Sequence, residues 1–138
     1  MTAAAGIATE FWWLGLIGLL MAVTSLPYVM DRILTAGFGK ALGNPQDNRT
    51  PHSPWAERMR AAHYNCVENV VVFGPLLVAV VVSGLSSEMT VIAAMAFALS
   101  RIAYVIIYTL GIPLLRTLAF LIGWLATVYL ALVLMGIV

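Results

Sequence analysis

Charged residues are scarce in this chain, and their scarcity excludes most classes of soluble protein. Only 9% of the 138 residues are charged, whereas a soluble domain has about 25%. Hydrophobic residues make up 62% of the chain, so the composition predicts a membrane protein. The net charge is only +1, which provides no basic surface for nucleic acid, and we expect no nucleic-acid partner.

Cysteine and histidine are also rare, and this excludes several kinds of site. The single cysteine, Cys66, cannot form an intrachain disulfide or a cysteine-based metal cluster. Two histidines without a nearby cysteine pair make no zinc site, so we expect no bound metal. The chain also lacks a Ser-His-Asp arrangement and a phosphate-binding glycine loop.

The chain instead contains long runs of residues without charge. Residues 11–30, 70–87 and 117–138 are uncharged, and residues 89–115 contain a single charge, that of Arg101. Because about 20 apolar residues cross a bilayer core, the sequence predicts an all-α fold, an integral membrane bundle of four transmembrane helices. Glycine and proline positions predict where the helices end. We expect one membrane domain, 1–138, with helices at about 7–36, 54–83, 87–110 and 113–136 and a loop at 37–53.

The basic residues predict how the helices are oriented. They cluster on one side of the membrane, whereas Glu10 and Glu88 lie on the other. The positive-inside rule therefore places the 37–53 loop in the cytoplasm and both termini outside. The basic residues concerned are Arg32, Lys40, Arg49, Arg58, Arg60 and Arg116.

The second predicted helix carries a polar stripe into the membrane. At about 100° per residue, Arg58, Asn65 and Asn69 lie within roughly 40° of one another, and Glu68 lies beside them. Such groups are costly inside a bilayer unless they have a partner. Either headgroups solvate this end of the helix, or another helix or a polar ligand satisfies the stripe.

A second polar set lies on the third and fourth helices. Tyr104 and Tyr108 follow Arg101 at i+3 and i+7, on about the same helix face. Arg101 is expected either to pair with Glu68 or to serve a ligand site, and the two roles are compatible. The tyrosines suit either a ligand site or an interfacial belt, and Arg116 suits either a shared site or a headgroup anchor. Arginines bind carboxylates and a glutamate binds an ammonium, so a short peptide or amino-acid derivative would fit.

These residues resemble the MAPEG family, the membrane-associated proteins of eicosanoid and glutathione metabolism. The pattern E-R-x-x-x-A-H-x-N-x-x-E-N covers residues 57–69, and R-x-x-Y-x-x-x-Y followed by R covers residues 101–116. Many members have an arginine where this chain has Ala61, and Arg58 would compensate. The turn after Tyr108 is one residue longer than in the eicosanoid synthases, so the prokaryote-like branch matches better.

The resemblance implies a homotrimer in a bacterial inner membrane that binds glutathione between neighbouring subunits. It implies that Arg116 is the catalytic residue and stabilises the glutathione thiolate. Glutathione contacts are implied for Asn65, Glu68, Tyr104, Tyr108 and Arg32, and we add Arg58, Asn69 and Arg101 from their places in the two polar sets.

The expected function is a glutathione-dependent transferase or peroxidase that acts on lipophilic electrophiles entering from the bilayer. One alternative is a MAPEG-like protein with lost or altered activity. Another is a small four-span multidrug-type exporter. Such exporters carry a glutamate in the middle of helix 1, whereas residues 11–30 are uncharged here, so proton coupling would have to use Glu68.

Overall fold

A computed structural model describes residues 7–44 and 50–138 of the chain. Arg49, one of the basic residues that indicate the orientation, lies outside these described residues. The described residues are helical apart from short connections. The helices are α1 (Thr9–Ala36), α2 (Phe38–Ala41), α3 (Pro54–Val82), α4 (Glu88–Leu110) and α5 (Pro113–Leu134).

Within the described residues, α1, α3, α4 and α5 are long and apolar enough to cross a membrane. The expected all-helical, multi-pass membrane architecture is therefore confirmed. The sequence patterns did not predict α2, which is a single turn directly after α1. Gly37 separates the two helices with a φ of 82°, a conformation that glycine adopts without steric cost.

Both ends of α4 follow ordinary capping rules. Ser87 and Thr90 form a capping box at the start of α4. Gly111 ends α4 in the left-handed conformation, at a φ of 80°, and Pro113 occupies the first turn of α5. The connection between α4 and α5 is therefore very short, and it makes the two helices antiparallel neighbours.

The start of α3 is held by a carboxylate from α1. Asp31 Oδ2 accepts a hydrogen bond from the Ser53 N–H at 3.0 Å and lies 3.0 Å from His52 Nδ1. Ser53 occupies the N-cap position of α3, with Pro54 in the first turn, but the Ser53 side chain makes no capping hydrogen bond. Asp31 adds a carboxylate to this helix N-terminus, where Glu57 lies in the first turn and a negative charge interacts favourably with the helix dipole.

Helix α1 is joined to its neighbours by polar contacts near both of its ends. At one end, Thr90 Oγ1 donates a hydrogen bond to Glu10 Oε1 at 2.8 Å. Near the other end, the Tyr28 hydroxyl lies 2.8 Å from His63 Nδ1 of α3. His63 therefore faces α1.

All four long helices contribute to one apolar core. Ile17 of α1, Phe73 of α3, Phe97 of α4 and Leu130 of α5 are fully buried together. The rings of Phe73 and Phe97 are stacked, with centroids 3.7 Å apart. Close packing of this kind, rather than the hydrophobic effect, drives association of helices within a bilayer.

Candidate functional site

Arg101, Tyr104, Tyr108 and Arg116 form a continuous column of side chains along α4 and the start of α5. The Arg101 guanidinium carbon lies 5.1 Å from the Tyr104 ring centroid. The Tyr104 and Tyr108 centroids are 5.5 Å apart, and the Arg116 guanidinium carbon lies 4.5 Å from the Tyr108 centroid. The i, i+3, i+7 spacing puts the first three on one helix face. The short α4–α5 connection then brings Arg116 back to Tyr108.

Arg101 is the most deeply placed charge of the column. Its side chain has 0% exposure, and Nη2 donates hydrogen bonds to the carbonyl oxygens of Ala119 and Phe120, each at 3.2 Å. Aromatic rings of Phe97 and Phe120 lie 5.4 and 5.6 Å from its guanidinium carbon. The cation is therefore held by the α5 backbone and by π-faces, which attract cations electrostatically.

The expected ion pair between Arg101 and Glu68 is wrong for this chain. Among the described residues, Arg101 has no carboxylate partner, and its Nη1 has no hydrogen-bond partner. The physical reason is the rotation of α3. Its fully buried residues Ala62 and Cys66 pack against Tyr104, whereas Glu68 lies on an exposed face.

The polar stripe on α3 forms a separate group. Asn69 Nδ2 donates a hydrogen bond to the Asn65 carbonyl oxygen at 2.7 Å, so part of the stripe satisfies itself. Glu68 and Asn69 line a groove of about 400 Å³ between α3 and α5. The rest of the groove is mostly apolar and is formed by Val72, Leu76, Trp124, Thr127, Val128 and Ala131.

Arg58 is the member of the stripe that reaches the end of α4. Its Nε donates a hydrogen bond of 2.9 Å to the carbonyl oxygen of Thr109, in the last turn of α4. Its guanidinium also lies against Gly111, since a Cβ atom built there would be 3.4 Å from Arg58 Nε. Within the described residues, no hydrogen bond or ion pair links Asn65, Glu68 or Asn69 to the column.

Arg32 lies apart from both sets within the single chain. Its Nη1 donates a hydrogen bond to the carbonyl oxygen of Thr50, next to the residues that Asp31 holds. Arg32 also lines a second cavity, of about 210 Å³, with Tyr28 and His52. The chain alone therefore does not bring Arg32 to Arg116.

Some residues that build the column were not identified from the sequence. Gly123 was one, although a Cβ atom there would lie 2.6 Å from Arg101 Nη2. A glycine within a membrane helix is a signal of close helix approach, and it was available in the sequence. The Thr109 carbonyl oxygen, which accepts the hydrogen bond from Arg58, gives no such signal, because every residue has a backbone carbonyl.

The described helices and this column define a class of protein, a four-span helical membrane protein with an arginine–tyrosine cluster at the turn between its last two helices. The model of the MAPEG family matches residues 10–136. The chain therefore belongs to the MAPEG family, whose members include glutathione transferases and related enzymes. Comparison with curated proteins and with solved structures gave no match.

Proposed function

We propose that this protein is a membrane-bound glutathione-dependent transferase or peroxidase. The observation that carries the proposal is the position of Arg116, at the N-terminal end of α5 with its guanidinium 4.5 Å from the Tyr108 ring centroid. A guanidinium and the first-turn amides of a helix are two sources of positive charge at one place. That arrangement suits stabilisation of an anion, and a thiolate is the anion that this family's co-substrate would supply.

The chemistry follows from the ionisation of the thiol. A free thiol has a pKa of about 8.5, so most glutathione is protonated at neutral pH, and only the thiolate is an effective nucleophile. Nearby positive charge favours the ionised form. In the transferase reaction the thiolate sulfur forms a bond to the electrophilic carbon, and a leaving anion departs. In the peroxidase reaction two glutathione molecules reduce one hydroperoxide to an alcohol and water, and they become the disulfide.

The remaining polar residues are proposed to hold the tripeptide. Asn65 and Asn69 offer amide groups that pair with peptide bonds, and Glu68 offers a carboxylate for the glutathione ammonium. Tyr104 and Tyr108 offer hydroxyl groups on the column. Arg32 and Arg101, two of the arginines among the expected binding residues, are proposed as partners for the glutathione carboxylates, whereas Arg58 is bonded to the α4 backbone.

Assembly into a homotrimer would complete this site. In the single chain the Glu68 carboxylate is exposed beside an apolar groove, and such exposure is costly at membrane depth. Arg32 bonds to Thr50 and not to the residues around Arg116. Packing of neighbouring subunits would cover Glu68 and would bring an Arg32 to another subunit's column. This supports a site at the subunit boundary. The distribution of basic residues supports the further proposal that the 37–53 loop is on the cytoplasmic side of a bacterial inner membrane and both termini are outside.

The second substrate is proposed to be a lipophilic electrophile. The groove between α3 and α5 is mostly apolar and has Glu68 and Asn69 among its lining residues. A hydrophobic molecule that partitions into the bilayer would reach it without crossing water. The apolar surfaces of this groove do not select one chemical class among such molecules, and the assay should therefore include both an aryl halide and a lipid hydroperoxide.

Purified protein in lipid nanodiscs provides the test. We expect calorimetry to detect saturable glutathione binding, and we expect conjugation of the aryl halide or reduction of the hydroperoxide above the uncatalysed rate. Binding without either reaction would indicate a family member with altered activity. Absence of binding would refute the proposal. A proton-coupled exporter is less favoured, because α1 has no charge at residues 11–30 and a proton carrier would have to be Glu68.

A further inference from the structure

The α4–α5 turn has a tether that the proposed chemistry does not use. Arg58, in the second turn of α3, donates from Nε to the Thr109 carbonyl oxygen at 2.9 Å. The last carbonyl groups of a helix have no partner within the helix, and Pro113, four residues after Thr109, has no N–H to donate to Thr109 O. The positive guanidinium also lies at the C-terminal end of α4, where a cation interacts favourably with the helix dipole.

The contact is close because residue 111 is glycine. Gly111 has a φ of 80°, and a Cβ atom there would lie 3.4 Å from Arg58 Nε and 3.6 Å from Arg58 Cδ and Cζ. The same residue ends α4, and Pro113 begins α5 two positions later. A guanidinium packed on this turn therefore restrains the direction in which α5 leaves.

We propose that Arg58 is a positioning residue, which fixes the α4–α5 turn so that Arg116 stays over the Tyr108 ring. The inference rests on the proposed function, because it assigns Arg116 to the thiolate. Arg116 is five residues beyond Gly111, and Tyr108 is three residues before it, so the turn sets the distance between them. A misplacement of about 1 Å at a reacting group can cost about a hundredfold in rate. We therefore expect loss of this single hydrogen bond to lower the reaction rate.

The enzymatic test separates positioning from binding by comparing affinity with turnover. Arg58→Met removes the donor and keeps an apolar stem. We expect the dissociation constant for glutathione to change by less than about threefold, since Nε is bonded to backbone. We expect kcat and the ultraviolet absorbance of bound thiolate to fall by about tenfold. Arg60→Met is the matched control, because Arg60 pairs with exposed Glu57 one turn nearby, and it should change neither quantity.

Two further substitutions distinguish the hydrogen bond from the charge. Arg58→Gln retains an N–H donor without a charge, and Arg58→Lys retains the charge with a different reach. If Arg58 positions the turn, glutamine should restore part of the lost kcat. If Arg58 instead binds a glutathione carboxylate, lysine should preserve affinity, glutamine should lose it, and kcat at saturation should be unchanged. That second pattern would overturn the inference.

A structural measurement keeps the inference testable without any activity. In ligand-free wild-type protein, amide hydrogen exchange should be slow at residues 109–116. It should become faster in Arg58→Met and in Gly111→Ala, whose Cβ is strained at this φ and crowds Arg58. It should stay slow in Arg60→Met. Unchanged exchange in both variants would refute the tether even if the wild type is active. Faster exchange in the two variants, together with a wild type that never binds glutathione, would refute the proposed function alone.

Discussion

The guanidinium of Arg101 lies directly against the backbone of Gly123. A Cβ atom on Gly123 would be 2.6 Å from Arg101 Nη2 and 2.7 Å from Ser100 Oγ. The bonds from Arg101 to the Ala119 and Phe120 carbonyl oxygens depend on this approach. Small residues allow membrane helices to come close enough for such contacts, so Gly123 determines where Arg101 can rest.

Gly123→Ala should destabilise the protein. The new methyl group would have to displace Arg101 from the α5 backbone, and overpacking of a tight site costs about 1–3 kcal/mol. We expect a lower Tm in detergent. Gly74→Ala is the matched control, because Gly74 is also a buried helical glycine and its Cβ would meet only Leu14 Cδ1 at an ordinary 3.8 Å. Alanine there should be neutral or stabilising by up to about 1 kcal/mol. Equal losses in both variants would contradict the assigned contact.

Arg101 and Glu68 should behave as independent residues. Because Arg101 bonds to α5 and Glu68 lies on an exposed face of α3, Arg101→Met should have the same effect on stability with or without Glu68→Gln. The coupling energy from the double-mutant cycle should be below about 0.5 kcal/mol. Partial rescue of Arg101→Met by Glu68→Gln would show instead that the two charges meet in the assembled protein.

Sequence patterns predicted much of this fold because each relevant signal is local. Uncharged runs identified the four membrane helices, and Gly111 with Pro113 marked the α4–α5 turn. The spacing of Tyr104 and Tyr108 after Arg101 predicted their common face, which depends only on the geometry of one helix.

The partners of these residues were harder to predict because they depend on the rotation of neighbouring helices. Periodicity showed that Asn65 and Glu68 are close on α3, but not whether that face meets α4. In the structure, Ala62 and Cys66 face α4 instead. The contact from Arg58 to Thr109 was also not predictable, because its acceptor is a backbone carbonyl, a group that every residue has.

The assembly state is the next prediction. We expect native mass spectrometry in mild detergent to show a trimer, because the single chain leaves Glu68 without a hydrogen bond or ion pair among the described residues and exposed beside an apolar groove. Introducing a second acidic residue into the apolar part of this groove, as Val72→Glu, should weaken the trimer. A stable monomer that retains glutathione binding would contradict a site shared between subunits.

Glutathione binding should depend on the polar stripe of α3. A hydrogen bond to a charged group contributes about 1.5–3 kcal/mol, which corresponds to about tenfold or more in affinity. Asn65→Ala and Glu68→Ala should therefore each raise the dissociation constant at least tenfold by calorimetry. Arg60→Ala should leave it unchanged, since Arg60 pairs with Glu57 on the surface. Similar losses from all three variants would show that the effect is general rather than specific to the stripe.

Arg116 should control the reactivity of glutathione more than its affinity. Its guanidinium lies over Tyr108 at the N-terminal end of α5, where we expect it and the helix amides to favour the thiolate over the thiol. In Arg116→Leu we expect glutathione to bind within a few fold of the wild type. Turnover of the electrophile should fall by about a hundredfold, which is typical when one electrostatic stabiliser is lost.

The ultraviolet absorbance of bound thiolate should fall in parallel, and raising the pH toward the pKa of the free thiol, about 8.5, should recover part of the rate. If turnover and the thiolate signal both survive, then Arg116 is a headgroup anchor, and Tyr104, Tyr108 and Arg32 become the groups to test as thiolate stabilisers.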